Sequence, residues 1–244
     1  MKRVFSDLHL QANSKDKPLT QKLVSKAAEL GYKMVATQLT LETKFEEIRE
    51  VKAICADVGL DVVSRVDLRP GSQEELLYLL RRLRRRFEVI CVVCETKEIA
   101  RQAAKDRRVD LLNFPLLDYR RRFFDRAEAE LASAGAAGFE VDVKPILVLE
   151  GAARVRFLSC LRREVAIAQE FRLPIVVSSG VSEPVLLRKP REVALLSSIF
   201  GLTGDAALNA ISRNPVEVVG RNRVKLGTGF VAPGIRIIKQ GEDC

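Results

Sequence analysis

Short runs of β-branched and apolar residues alternate with longer amphipathic stretches along this chain, and the alternation recurs every 21 to 35 residues or so. The apolar runs at residues 4–8, 33–38, 61–66, 88–94, 109–113, 139–143 and 174–178 read as strands. Most are rich in Val and Ile at successive positions, as expected of strands covered on both faces. Between them, Leu76, Leu79, Leu80, Leu83 and Phe87 draw one apolar stripe at helical spacing. Residues 46–58, 97–105, 123–133, 153–171 and 192–200 also read as helices, and Gly31 and Gly59 stand where helix C-caps belong. Strict alternation of strand and helix predicts a parallel sheet, open or closed. Seven strands in a chain of 244 residues favour closure, giving an α/β fold of incomplete TIM-type barrel form. No linker rich in Ser, Gly or Pro divides residues 1–223, which form one expected domain. Residues 224–244 hold four glycines, one proline and little periodicity, and read as a loosely attached tail.

Composition narrows the possibilities. At 47% apolar residues the chain can bury a full core. No uncharged apolar stretch reaches the ~18 residues a membrane span needs, and no signal-like segment opens the chain, so a cytoplasmic protein is expected. The five cysteines are an odd number and argue for free thiols over a disulfide framework. Cys91 and Cys94 form a C-x-x-C, but residues three apart on a strand face opposite sides of its sheet. That geometry suits two small buried hydrophobes better than a shared zinc.

The formal charge of +9 changes the picture further, because arginine outnumbers lysine nearly two to one. Guanidinium offers a planar fork of donors that matches phosphate. The cations gather in four clusters. They are Arg81, Arg82, Arg84, Arg85 and Arg86; Arg101, Lys105, Arg107 and Arg108; Arg120, Arg121, Arg122 and Arg126; and Arg188, Lys189 and Arg191, with Arg213, Arg221 and Arg223 beyond. The turn Ser178-Ser179-Gly180, with exposed backbone N–H groups ahead of Arg188 and a helix start, reads as a phosphate cradle. Aromatic residues make up only 6% and tryptophan is absent, so stacking on single strands is not expected. Phe123 and Phe124, although flanked by arginines, read as core. Recognition of a folded RNA through its phosphates is the function this composition supports.

Five ordered segments sharpen that reading. They are FSDLHL from Phe5, SRVDLRP from Ser64, EIARQAAKDRRVDLLNFP from Glu98, VVSSGVSEPVLLRKPREVALLSSIFGL from Val176, and ALNAISRNPVEVVGRNR from Ala207. Together they resemble archaeal ribonuclease P protein component 3, the counterpart of the eukaryotic thirty-kilodalton subunit. The resemblance implies a barrel like that of the polymerase and histidinol phosphatase superfamily. It also implies an RNA-binding accessory subunit of the particle that removes 5′ leaders from precursor tRNA. The particle's RNA would supply the catalytic site and use magnesium, leaving this chain without catalytic residue, metal or cofactor of its own. Implied partners are ribonuclease P RNA, ribonuclease P protein component 2 and the other protein subunits, with precursor tRNA met indirectly and no membrane involved. Charge at strand-to-helix boundaries and the family motif together single out Arg101, Arg107, Arg108, Lys144, Arg188, Lys189 and Arg191 as RNA contacts.

An enzyme is the alternative. Barrels of that superfamily begin a multinuclear metal site with His-x-His on the first strand. Here Asp7 takes the first of those positions, and His9 is the only histidine in the chain. A metal-dependent phosphoesterase would therefore have to rest on Asp7, Asp67, Glu140 and Asp142 with magnesium. Neither a G-x-x-x-x-G-K-[ST] nor a G-x-G-x-x-G motif occurs, and no nucleophile elbow accompanies any serine.

Overall fold

A computed structural model describes residues 3–11, 16–115, 122–232 and 235–236. Seven strands form one sheet in sequence order: β1 Ser6–Leu10, β2 Met34–Leu39, β3 Asp61–Leu68, β4 Val89–Val93, β5 Leu111–Asn113, β6 Gly138–Asp142 and β7 Ile175–Ser178. Every neighbouring pair is parallel. Helices connect them: α1 Lys17–Leu30, α2 Phe45–Ala56, α3 Gln73–Leu83, α4 Lys97–Lys105, α5 Arg126–Gly135, then α6 Lys144–Val148 and α7 Gly151–Glu170. After β7 come α8 Pro190–Ser197, α9 Gly204–Ala210 and α10 Arg213–Leu226, followed by a small hairpin of β8 Phe230–Ala232 with β9 Ile235–Arg236. No helix among the described residues is long and apolar enough to cross a membrane.

Local chemistry sets the helix ends. The Asp16 carboxylate accepts from the Leu19 N–H, Ser72 from Glu75 and Thr96 from Ile99. Asp125 and Glu128 form a reciprocal capping box at the start of α5. Gly31 ends α1 with φ of 96°, a left-handed conformation that glycine adopts without strain.

Alternation along the strands divides their side chains among three buried clusters, in one of which Leu10, Val35 and Val62 pack against Leu23, Val24 and Ala27 of α1. Ile90, Val92, Cys94, Leu112, Phe139, Val141, Ile175 and Val177 face the helical layer, where they pack against Leu76, Leu80, Leu83, Phe87 and Leu161. Met34, Ala36, Val63, Val89, Cys91, Leu111 and Val176 meet Leu8 inside the sheet. Cys91 and Cys94 therefore lie on opposite faces, buried in different clusters, as the strand period requires. Phe124 stacks on Phe139 with ring centroids 4.6 Å apart and belongs to the core.

The barrel is seven-stranded and nearly closed. No ladder joins β1 to β7. A single bridge between Leu10 and Val181, with N–H bonds from Gly180 to the His9 carbonyl (3.0 Å) and from Gln11 to that of Val181 (2.9 Å), draws them together at their C-terminal ends. At the other end α10 lies across the mouth as a plug. It sends Val218 and Val219 into the interior cluster, while Asn222 Nδ2 donates to the Glu88 carbonyl at 2.8 Å and Asn214 Nδ2 to that of Ile175 at 2.7 Å. This helix continues through Leu226, so it takes in the first residues of the stretch expected as a tail. Residues 233–234 and 237–244 of that stretch lie outside the described residues.

Candidate functional site

The interior positions nearest the C-terminal ends of the strands are polar. Arg65 on β3 is fully buried and reaches across the barrel to β6. Its Nη1 and Nη2 donate to the two oxygens of Glu140 at 2.5 and 2.6 Å, and its Nε donates to Asp67 Oδ1 at 2.6 Å. Nη1 also donates to the Leu8 carbonyl at 2.6 Å, which ties the guanidinium to β1. Asn113 Nδ2 on β5 donates to Glu140 Oε2 and Asp142 Oδ2, at 3.0 and 2.9 Å, and Ser178 Oγ on β7 donates to Glu140 Oε1 at 2.8 Å. His9 enters from β1, where the register shifts between Asp7 and Leu10. Its Nδ1 lies 2.8 Å from Asp142 Oδ1 and its Nε2 lies 3.1 Å from Asp67 Oδ2. Five strands thus contribute to one network of three carboxylates and two cations.

Removing such charges from water is costly, so the network stands only because its members neutralise one another. Burial and the Arg65 charge push the His9 imidazole down, but the carboxylates of Asp142 and Asp67 outweigh both and raise it to about 10. Burial works against the charged form of Asp67, and the Arg65 and His9 charges overcome it, holding that carboxyl well below the usual range. Asp142 is lowered likewise, by His9 and Arg65 against its burial. Asp7 differs. Burial raises it, despite Oδ1 accepting from the N–H groups of Ser179 (3.0 Å) and His9 (3.1 Å), and its Oδ2 finds no partner among the described residues.

His9, Glu140 and Asp142 can bring ligand atoms within 4.8 Å of one another, the spacing of a metal site. Their lone pairs are already engaged. Arg65 holds both Glu140 oxygens, Asn113 and His9 hold those of Asp142, and Asp67 serves Arg65. A divalent cation would have to displace a permanent guanidinium or sit beside it, so these residues do not fit one. Of the four carboxylates the phosphoesterase alternative needs, Arg65, inside the SRVDLRP segment and absent from the expected site residues, holds Asp67 and Glu140, while His9 and Asn113 hold Asp142.

The Ser178–Gly180 turn is not an open cradle. Its amides face inward: Ser179 N–H bonds Asp7, Gly180 N–H bonds the His9 carbonyl, and Val181 N–H bonds Ser179 Oγ at 3.4 Å. All of these residues are buried. Gly180 has φ of +65°, and a Cβ there would stand 2.8 Å from Asp142 Cβ and Cγ. Only glycine lets the turn pass so close to the network.

The seven expected RNA contacts stand on three parts of the fold. Arg101, on the outer face of α4, donates Nε to Glu128 at 3.1 Å, while Arg107 and Arg108 follow that helix at the N-terminal side of the barrel. Arg108 is clamped on Asp106 at 2.9 and 2.6 Å, whereas Arg107 is exposed. Lys144 opens α6 at the C-terminal side, with Nζ 3.4 Å from Ser182 Oγ. Arg188 and Lys189 lie on the connection into α8, and Arg191 lies in its first turn. Arg188 Nη1 donates to the carbonyls of Val185 and Leu187, and the Lys189 N–H is met by Glu192. Arg191 borders an apolar cavity of about 460 Å³ with Phe5, Leu195 and Leu202.

Several members of the arginine clusters are structural. Arg84 pairs with Asp110, the buried Arg122 with Glu164, Arg213 with Glu217, and Arg223 with Asp61 and Glu88. Arg120 and Arg121 lie outside the described residues.

The molecule is thus a seven-stranded parallel α/β barrel, floored by a helix, whose mouth is filled by an internal salt-bridge network. Residues 4–226 match the model of the RNase P subunit p30 family, and the chain belongs to that family. It is 27% identical over 240 residues to ribonuclease P protein component 3 of Methanosarcina mazei, covering 98% of this chain and 97% of that protein. The protein of the same name from Halorubrum lacusprofundi is 28% identical over 198 residues, 81% of each chain. Among solved structures, a chain in the cryo-EM structure of archaeal ribonuclease P with mature tRNA superposes with a TM-score of 0.81. It covers 98% of this chain and 100% of that one at 22% identity, and so bears on the fold.

Proposed function

We propose that this chain is an RNA-binding protein subunit of ribonuclease P, supporting the catalytic RNA that removes 5′ leaders from precursor tRNA. The observation that carries the reading is the family match, which spans the whole barrel and the α10 plug. Two features of the chain support it. At the mouth of the barrel, where a metallophosphoesterase of this shape would work, the carboxylates are paired from within by Arg65 and His9. The surplus of positive charge, +9 overall, gives the protein a long-range attraction for a folded polyanion.

In this reading the protein contributes shape and charge, and the RNA contributes the chemistry and binds the magnesium it needs. Ribonuclease P protein component 2 is the proposed direct protein partner, alongside the other subunits, in the cytoplasm. Arg101, Arg107, Arg108, Lys144, Arg188, Lys189 and Arg191 are the proposed contacts to RNA.

Reconstitution tests the role. Adding this chain with its partner to the RNA is expected to raise precursor-tRNA cleavage at low magnesium, and no gain would overturn the proposal. Purified protein given manganese and a phosphodiester is expected to turn nothing over. Activity abolished by Asp7→Ala would restore the enzyme reading. For the contacts, Arg188→Ala with Arg191→Ala is expected to flatten the salt dependence of RNA binding by about one unit per lost phosphate contact.

A further inference from the structure

At the N-terminal end of the barrel, opposite the buried network, positive charge is in excess. Asp110, just ahead of β5, is buried, and it is shared by two arginines. Its Oδ2 accepts from the Ile90 N–H at 2.8 Å and from Arg84 Nη1 at 2.5 Å, and its Oδ1 lies 3.3 Å from Arg221 Nη2. Backbone carbonyls fix both guanidiniums. Arg84 also donates to the carbonyls of Arg108 (3.0 Å), Phe87 and Glu88 (both 3.1 Å), and Arg221 to that of Ala136 (2.9 Å). Arg221 Nε is shielded from solvent and has no partner among the described residues.

Two further cations crowd this pair. Lys225 follows Arg221 by one turn of α10, on the same face of the helix. Arg107 precedes the residue whose carbonyl Arg84 holds. Both side chains are exposed, and neither forms an ion pair among the described residues. The Lys225 ammonium is held below its ordinary value, first by partial burial and then by Arg221, Arg84 and Arg107, against the pull of Asp110. Four cations therefore face one carboxylate, a surplus of three positive charges. Such a cluster is destabilising by itself and is relieved when an anion sits on it. Arg84, with all four of its Nη hydrogens engaged, supplies fixed positive charge, Arg221 keeps one further hydrogen on each Nη, and Arg107 and Lys225 give adaptable charges and donors at the rim.

We propose that Arg84, Arg107, Arg221 and Lys225 form a phosphate-binding site for an RNA backbone at the plugged end of the barrel. The site rests on the RNA-binding reading above and extends it to α10, which the expected contacts did not include. It is open and built from side chains on three separate segments, which suits phosphates presented along a polymer better than an enclosed free anion.

The test uses the full chain, the ribonuclease P RNA and the double substitution Arg107→Gln with Lys225→Gln. Both positions are exposed, and a thermal melt checks that the fold is kept. Binding at physiological salt is expected to weaken on the order of tenfold, with the slope of log K against log salt flattened by about two units. Arg107→Lys with Lys225→Arg, which keeps the charges, is expected to restore both. If the unsubstituted protein binds the RNA and Arg107→Gln with Lys225→Gln keeps its affinity and slope, this site is wrong while the RNA-binding reading stands. If the unsubstituted protein does not bind RNA at all, the RNA-binding reading has failed and this site with it. Inorganic phosphate, compared with chloride at equal ionic strength, is expected to leave RNA binding unchanged. Specific displacement by phosphate would make the cluster a free-anion site and overturn the assignment to RNA.

Discussion

Replacing Arg65 by methionine probes the network at its centre. Methionine follows the arginine stem as far as Nε without charge, so the packing of the stem is kept while four donor contacts vanish: two to Glu140, one to Asp67 and one to the Leu8 carbonyl. Asp67, Glu140 and Asp142 are left buried with His9 as their remaining cation. Breaking a buried ion pair by removing one partner costs about 3–5 kcal/mol, a large share of the ~5–15 kcal/mol by which domains are stable. For a chain of this length each kcal/mol moves the melting temperature by about 2–4 °C, so Arg65→Met is expected to melt roughly 6–20 °C lower at pH 7. The deficit should shrink on acidification, because Asp67 and Asp142, both held low in part by the Arg65 charge, take up protons at higher pH once it is gone. Adding Glu140→Gln should recover part of the loss, since it removes a charge that no longer has a partner. Circular-dichroism melts at pH 7 and pH 5 on the two variants and the parent measure all of this. A loss under about 1 kcal/mol at pH 7, or one that is the same at both pH values, would refute the argument.

Two further expectations concern the same region. The folded-state value for His9, about 10, lies above its ordinary 6.5, so its contribution to stability is complete below about pH 6.5 and is lost as pH rises through 10. Melting temperature should therefore fall between pH 7 and pH 10, and His9→Gln should flatten that fall; an unchanged profile in the variant would assign the fall to another group. Gly180→Ala must place a methyl 2.8 Å from Asp142 at φ of +65°, so urea unfolding should show a loss of roughly 1–3 kcal/mol, and a neutral result would mean the turn shifts freely.

Most of the frame is legible in the amino-acid sequence because two periods dominate it. The seven expected strands each lie within two residues of the observed ends, and the Leu76–Leu83 stripe faces the core. Cys91 and Cys94 separate because a strand turns over every second residue. What escapes is whatever depends on distant partners. Five arginines on and after α3 look like one mobile cationic face, yet Arg84 is fixed against Asp110, and Arg86 donates to the Thr43 carbonyl, 43 residues earlier. The same blindness hides Arg65, whose carboxylate partner Glu140 lies 75 residues on. The polar turn at Ser178–Gly180 looks available for phosphate because no local signal shows that Asp7, 172 residues earlier than Ser179, has taken its amide. The helical character of residues 213–226 is masked by Pro215 and Gly220, and by a buried face that includes Asn222, which is there to hydrogen-bond a strand end.

The position of α10 orders the making of the molecule. The helix that floors the barrel is synthesised after all seven strands, so the ribosome releases an open-bottomed frame first. Until Val218 and Val219 arrive, Leu8, Met34 and Val89 line a hollow that water can enter. A chain cut short before residue 213 would keep its upper ring of charges and expose its apolar interior, leaving it prone to aggregation and a ready target for proteolysis.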